Sequence, residues 1–388
     1  MSIAEPAAPA PAEVDDHRAE HDDDDVMPYP SPVAHVVLGA AALAPSVLPI
    51  PEYVSIITVA CLTVYVGCLR SVKQQGPEDV MSHKEAARFP LVGSVVLLSL
   101  FICLKYVPKE LINLVLSVYF VVLGTIALTG AALPFLRPFA PGLYRRKLAV
   151  QIPAIPLVMS EPAELGESLL AVVTAAPMLL FCVWYFRERH WVANNAIGIA
   201  FSLMGIEELS LGTPTVGVVL LVGLFFYDIF WVFCTPVMVN VAKGLDVPIK
   251  LLFPRPGVAV GDPARMALLG LGDIVIPGMY VALMCRYDYS RGWRTRYFWS
   301  AMGGYFAGLV ATIVVMMVFR AAQPALLYIV PGVLGATVGH ALLQGELKEL
   351  MSFSEGGGQD AKGDAKEDAG GDGKEAEAPK EPVEKKED

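Results

Sequence analysis

The chain has 388 residues, of which 55% are hydrophobic and 18% charged, and its mean hydropathy is +0.53. Soluble globular proteins carry about 25% charged residues, so the composition excludes an ordinary soluble domain and predicts a protein whose solvent is lipid. The net charge of −10 reflects acidic ends rather than an acidic fold, because 20 of the 39 acids lie in residues 1–31 and after Glu355, with a run of four at 22–25.

The N-terminal region contains two different segments. Residues 1–32 are rich in Ala, Pro and acids and lack the aliphatic residues of a core, which predicts a disordered arm. Their acidity also argues against a cleavable signal peptide, which needs basic residues close to its apolar run. The apolar run at 33–50 is about long enough to cross a bilayer, but Pro45, Pro49 and Pro51 interrupt it. A re-entrant or interfacial segment is therefore an equal alternative.

Nine further apolar segments approach the roughly 20 residues that a transmembrane helix requires. They are residues 53–69, 89–106, 111–136, 167–186, 191–210, 216–238, 266–285, 297–319 and 324–343. Because lipid offers no hydrogen-bond partners to the backbone, segments that cross it are predicted to be helices. The predicted fold is an all-α polytopic membrane protein of about nine transmembrane helices, with the first five in residues 53–210 and the last four in residues 216–343.

Lysine and arginine in short loops favour the cytosolic side of a membrane. The loops after the first, third and seventh segments are basic and lie on one side of a nine-span topology, whereas the basic loop after the sixth segment lies on the other. This modest bias predicts a luminal N-terminus and a cytosolic C-terminus. An additional crossing at 33–50 would move only the N-terminal arm.

The C-terminal region, residues 351–388, consists mainly of Gly, Asp, Glu, Lys and Ala, which predicts a disordered tail. Within it, Lys385 and Lys386 resemble the dilysine signal that returns membrane proteins to the endoplasmic reticulum. A tail this rich in Lys and Glu also produces such a pair by chance. The signal acts only on a cytosolic tail, which is the side that the loop charges predict.

Asp228 and Asp273 lie in two consecutive apolar segments that run in opposite directions. A charged side chain at the centre of a membrane helix costs at least about 2.5–3.5 kcal/mol, so such acids indicate a functional site. Two carboxyls that meet at low dielectric cannot both ionise, and they share one proton. That pair suits amide hydrolysis without a metal, since one carboxylate activates water while its protonated partner polarises the scissile carbonyl. On these residues alone, a transporter is the better interpretation, and a structural pair between helices is another.

Two further motifs flank this pair. Gly270 and Gly272 lack a Cβ just before Asp273, which allows helices to approach closely and leaves backbone where an extended substrate could pair. The segment from Gln323 opens the last apolar stretch, and its Pro324 suits the first turn of a helix, where the missing N–H costs nothing.

With these motifs the chain resembles the GxGD intramembrane aspartyl proteases, the family of presenilin and signal peptide peptidase. It is most similar to the signal peptide peptidases, over roughly residues 52–353. The resemblance implies the polytopic fold of that family and a role for each motif. The residues implied are Asp228 and Asp273 for catalysis, Tyr227, Gly270, Leu271 and Gly272 for support of the active site, and Gln323, Pro324, Ala325 and Leu326 for substrate binding.

The resemblance further implies an intramembrane aspartic endopeptidase of the endoplasmic reticulum membrane. Its expected substrates are remnant signal peptides and type II-oriented membrane proteins, cut without cofactor, metal, added subunits or nucleic acid. The short connection at 239–265 argues against maturation by cleavage of a long loop, as in presenilin.

The sequence is compatible with a homo-oligomer and with partners in quality control at the endoplasmic reticulum. It does not specify the native substrates. The alternative class of function is a channel, a transporter or a non-catalytic binder of membrane helices. A substrate helix must unwind before its backbone can be cut, so we expect it to add as a strand near Gly270 or the Pro324 segment.

Overall fold

The computed structural model describes residues 32–72, 80–152, 163–245, 247–255, 266–319 and 323–355, and these are mostly helical. The helices are α1 (Pro32–Val47), α2 (Glu52–Arg70), α3 (His83–Tyr106), α4 (Lys109–Leu136), α5 (Pro141–Arg145), α6 (Leu169–Glu188), α7 (Trp191–Glu208), α8 (Pro214–Phe233), α9 (Val237–Gly244), α10 (Gly272–Ser290), α11 (Tyr297–Phe319), α12 (Leu326–Gln344) and α13 (Leu347–Met351). Two antiparallel pairs of strands accompany them, β1 (Lys147–Ile152) with β2 (Ala163–Ser168), and β3 (Lys250–Pro254) with β4 (Met266–Gly270).

Two predicted regions lie outside the described residues. One is the disordered arm, at residues 1–31, and the other is the disordered tail, at residues 356–388, which contains the dilysine pair Lys385 and Lys386.

Seven of the described helices are long and apolar enough to cross a membrane, which makes the protein a polytopic helical membrane protein. They are α2, α3, α4, α6, α8, α11 and α12. Helices α7 and α10 correspond to two other predicted spans but are more polar. Several of their polar residues, among them Asn194, Asn195 and Asp288, are buried inside the protein. The predicted number of nine spans is not confirmed.

The prediction of an all-α fold is wrong at the four strands. The segment predicted as one helix over 266–285 begins as strand β4, and α10 starts only at Gly272. In β4, the buried residues Ala267 and Leu269 alternate with more exposed neighbours, as in a half-buried strand. Five apolar residues that precede an apolar helix are too few for this alternation to stand out in the sequence.

Two other helix boundaries differ from the prediction. Helix α8 ends at Phe233 rather than at 238, and Pro236 then precedes α9. Proline lacks the N–H that would continue a helix and clashes with the preceding turn. Helix α12 begins at Leu326, just after Pro324.

Glycines bring α11 and α12 into close contact. A Cβ at Gly304 would lie 2.3 Å from the carbonyl oxygen of Gly332, and one at Gly308 would lie 2.6 Å from Cα of Ile329. In a membrane, small residues at such positions let helix backbones pack closely. This contact holds α12 in place, and the first residue of α12 in turn reaches α8.

Helix α1 covers most of the ambiguous segment at 33–50. It contacts α2, to which residues 48–51 join it, and its Leu38 is buried in the shared core. Near the start of α1, the ring of His35 lies edge-on to that of Phe135 in the last turn of α4, with the ring centroids 4.9 Å apart. Helix α1 therefore turns back along α2 from the connection between them.

Candidate active site

Asp228 lies on the packed face of α8. The helix begins where Thr213 Oγ1 accepts the N–H of Val216 and Pro214 occupies the first turn. The buried residues then recur every three or four positions, which is the spacing of one helix face. They are Gly217, Leu220, Leu221, Leu224, Asp228 and Trp231. Asp228 is 5% exposed, so this face points its carboxyl into the protein.

A backbone hydrogen bond connects Asp228 to the motif that opens α12. The N–H of Leu326 donates to Oδ2 of Asp228 at 3.1 Å. Leu326 is the first residue of α12, and the N-cap residue Ala325 provides no side-chain cap. Asp228 thus satisfies one of the N–H groups that a helix start leaves without an intrahelical partner, at the positive end of the helix dipole.

The substrate-binding motif predicted at 323–326 is mostly buried. Pro324, Ala325 and Leu326 are buried, and the half-buried Gln323 accepts a hydrogen bond from the Tyr328 hydroxyl at 3.4 Å. The motif therefore lies beside Asp228 and shapes the protein around it.

Asp273 is the second residue of α10, directly after Leu271 and Gly272. Helices α8, α10 and α12 contact one another, so Asp228 and Asp273 lie on neighbouring helices. That the two carboxyls meet stays a prediction from the sequence.

The two glycines before Asp273 differ in their surroundings. A Cβ at Gly270 would lie 3.3 Å from Oδ2 of Asp273, which is a tight contact. A Cβ at Gly272 would meet only the side chain of Ile276, at an ordinary 3.8 Å. Leu271 lies between them, and its N–H donates to the carbonyl of Ile249 at 3.0 Å. Gly270 therefore leaves space that the Asp273 carboxyl occupies.

Strand β4 leads the chain to Asp273 and is held through β3. Oδ1 of Asn195 in α7 accepts the N–H of Leu252 at 2.8 Å, and its Nδ2 donates to the Leu252 carbonyl at 2.7 Å. Leu252 is opposite Leu268 in the ladder, and its backbone groups point to α7. By the alternation of an antiparallel ladder, the N–H and C=O groups of Leu268 and Gly270 point away from β3. They form an open edge of β4 that ends at Asp273.

Tyr227 faces a different neighbour from Asp228. Its ring packs against α3, where a Cβ at Gly93 would lie 3.6 Å from Cε2 of the tyrosine. One turn further, Nε1 of Trp231 donates to Oγ of Ser94 at 3.0 Å. These contacts fix the rotation of α8 about its axis, and with it the direction of the Asp228 side chain.

The sequence did not single out Pro277 and Tyr305, although both adjoin Asp273. Pro277 lies one turn after Asp273 in α10, and the hydroxyl of Tyr305 in α11 donates to the Asp273 carbonyl at 3.3 Å. The proline was visible in the sequence as a residue that cannot complete a helical hydrogen bond. Tyr305 gave no signal, because it reaches the site only through the packing of α11.

No group of three or more His, Cys, Asp and Glu residues that could hold a metal ion occurs in the described part of the chain. The groups that the structure brings to this site are the two carboxyls, the Leu326 N–H and the open edge of β4.

Comparisons with known proteins show the family to which the chain belongs. A family model described as signal peptide peptidase matches residues 73–356. The signal peptide peptidases of Homo sapiens and Mus musculus are each 41% identical over 324 residues, 79% of this chain and 84% of those proteins. A probable intramembrane protease of Schizosaccharomyces pombe is 33% identical over 312 residues, 78% of this chain and 94% of that protein. Fold, site and relatives define an intramembrane protease. Within that class, the chain belongs to the signal peptide peptidase family.

Proposed function

We propose that this protein is an aspartic endopeptidase that hydrolyses peptide bonds within membrane helices, with Asp228 and Asp273 as the catalytic pair. The observation that carries the proposal is the hydrogen bond from Leu326 to Asp228. It joins the motif of α12 to the acid of α8, and helix α10, which carries Asp273, contacts both of these helices. These contacts between helices that carry the three motifs support the proposed pair.

The proposed reaction balances with water as the only co-reactant. One carboxylate takes a proton from water as the water oxygen forms a bond to the scissile carbon. The other carboxyl, which is protonated, donates a hydrogen bond to the carbonyl oxygen and stabilises the negative charge that develops there. The tetrahedral intermediate then collapses, the C–N bond breaks, and the amine leaves with a proton from the pair. A carboxylic acid and an amine result, and the dyad again holds one proton.

The proposed substrates are membrane helices, chiefly remnant signal peptides and type II-oriented membrane proteins. The names of the relatives, signal peptide peptidase and intramembrane protease, support this choice. Because the carbonyls of a helix are engaged in hydrogen bonds, the substrate must unwind near the cut. We propose that the unwound segment pairs with the open edge of β4, whose Leu268 and Gly270 backbone groups lead to Asp273.

The proposed location is the endoplasmic reticulum membrane, where signal peptides are released. This location follows from the proposed substrates. The retrieval role of Lys385 and Lys386 stays a prediction from the sequence.

The test is cleavage of a synthetic signal peptide by the purified full-length protein in detergent. We expect Asp228→Asn and Asp273→Asn each to lower kcat by at least about 1,000-fold, because a nucleophile cannot be activated when either carboxyl is missing. Asp288→Asn is the matched control, since Asp288 is a buried aspartate at the opposite end of α10. Its folded fraction should cleave the peptide. Cleavage that survives either Asp228→Asn or Asp273→Asn would refute the dyad.

A further inference from the structure

Helix α10 lacks one hydrogen bond at the residue on which the proposed chemistry depends. In a regular α-helix the carbonyl of residue 273 accepts the N–H of residue 277. Residue 277 is Pro277, which has no N–H. The carbonyl of Asp273 is therefore deprived of its helical donor within the first turn of α10.

A side chain from another helix provides a donor to this carbonyl. The hydroxyl of Tyr305 in α11 donates to the Asp273 carbonyl at 3.3 Å. Tyr305 is fully buried, so water does not compete for the bond from the outside. An unpaired carbonyl inside a membrane protein is costly, and groups freed by proline in a membrane helix are usually satisfied by neighbouring helices.

We infer that Tyr305 is a positioning residue, which replaces the hydrogen bond that Pro277 removes and thereby holds the backbone of Asp273 in place for catalysis. The inference rests on the proposed role of Asp273. Tyr305 acts on the backbone and leaves both carboxylate oxygens of Asp273 to the reaction.

The location of this bond explains why it affects the reaction more than the fold. Asp273 lies immediately after the junction between strand β4 and helix α10, where the chain has just changed direction. Gly270 and Gly272 give this junction little side-chain packing. A bond from α11 to the first turn of α10 therefore restrains the acid where side-chain packing is sparse. Small displacements of a catalytic group cost large factors in rate.

The first measurement compares the wild type with Tyr305→Phe, which removes the hydroxyl and keeps the ring. We expect kcat for the synthetic signal peptide to fall about 10-fold, since a buried acceptor loses its donor and the acid shifts. We expect KM to stay within about twofold, because Tyr305 donates to backbone next to the acid and has no part in binding substrate.

The second measurement uses Pro277→Ala, which returns an N–H to residue 277. In this background the helix provides its own donor to the Asp273 carbonyl, and Tyr305 becomes redundant. We expect the double variant with Tyr305→Phe to have a kcat within about twofold of Pro277→Ala alone. A purely structural loss of the hydroxyl would not be suppressed in this way.

Tyr297→Phe is the matched control. Tyr297 is a second fully buried tyrosine of α11. Its hydroxyl donates to Glu346 at 3.1 Å and not to the backbone of Asp273. The Tyr297→Phe variant should lose the hydrogen bond to Glu346 and keep the wild-type kcat.

The outcomes separate this inference from the proposed function. A Tyr305→Phe protein with wild-type kcat, beside an inactive Asp273→Asn protein, would overturn the positioning role alone. A double variant about 10-fold slower than Pro277→Ala alone would do the same. An active Asp273→Asn protein would instead overturn the proposed catalytic pair.

Discussion

At the scale of single residues, Gly270 shows how a missing side chain serves the site. It is the last residue of β4, and a Cβ at this position would lie 3.3 Å from Oδ2 of Asp273, so a methyl group would push the carboxyl aside. The backbone φ is positive at Gly212, Gly292 and Gly345 but not at Gly270, so an alanine can adopt the backbone conformation of Gly270. The need for glycine at this position is steric, and it concerns the acid rather than the strand.

We expect Gly270→Ala to lower kcat by about 10-fold to 100-fold, because the new methyl group displaces the Asp273 carboxyl. Thermal stability in detergent should change little, since alanine fits a strand. Gly303→Ala on α11, where a Cβ would meet nothing within 4 Å, is the control. Gly272→Ala should impair the enzyme less than Gly270→Ala. Equal rates for Gly270→Ala and the wild type would contradict the steric role of Gly270.

Which residues form the site was only partly predictable. Asp228 and Asp273 stand out because charge is rare in apolar segments, and their opposite chain directions allow them to meet. The bond from Leu326 to Asp228 and that from Tyr305 to Asp273 depend on which faces of α12 and α11 turn inward. Helices that are apolar all round carry almost no periodic signal for this choice.

At the scale of elements, the pair of strands β3 and β4 is the main departure from the predicted fold. Each strand has five residues, and the residues between them, 256–265, lie outside the described part. In the sequence, β4 merges with the apolar helix that follows. The strand is recognisable only through its partners, since Asn195 holds β3 and β3 holds β4. Those contacts are tertiary, and no local pattern encodes them.

This arrangement leads to a prediction for substrate binding. Leu268 is 60% exposed, and its N–H points away from β3, so Leu268→Pro removes a donor from the open edge without breaking the ladder. We expect kcat/KM for the signal peptide to fall about 10-fold, because the substrate strand loses a backbone hydrogen bond.

Leu268→Ala separates the backbone effect from the side-chain effect. It removes the leucine side chain and keeps the N–H, so its loss of kcat/KM should be much smaller than that of Leu268→Pro. If the proline variant cleaves as well as the alanine variant, the substrate does not pair with this edge of β4.

At the scale of the whole molecule, the hairpin of α1 and α2 bears on the orientation of the N-terminal arm. Arg70 at the end of α2 donates to the carbonyl of Gly130 near the end of α4 at 3.1 Å. The start of α1 reaches the same end of α4 through His35 and Phe135. The first residues of α1 and the last of α2 and α4 therefore lie at one face of the protein, which is the face of the basic loops that follow α2 and α4.

We therefore expect residues 1–31 to lie on the same side of the membrane as the loop at 73–79, which is the topology in which 33–50 adds a crossing. A luminal arm requires instead that α1 stay on the luminal side of the membrane without crossing it. The packing of α1 along α2, as far as Phe135 of α4, argues against this. The measurement is glycosylation in microsomes of full-length protein with an acceptor tag, since the native chain has no Asn-x-Ser/Thr sequon. Tags inserted within 1–31 and within 73–79 should both stay unmodified, and a tag within 256–265, on the opposite side, should be glycosylated. Glycosylation of the arm together with an unmodified 73–79 tag would show that α1 does not cross, and the orientation predicted from loop charges alone would hold.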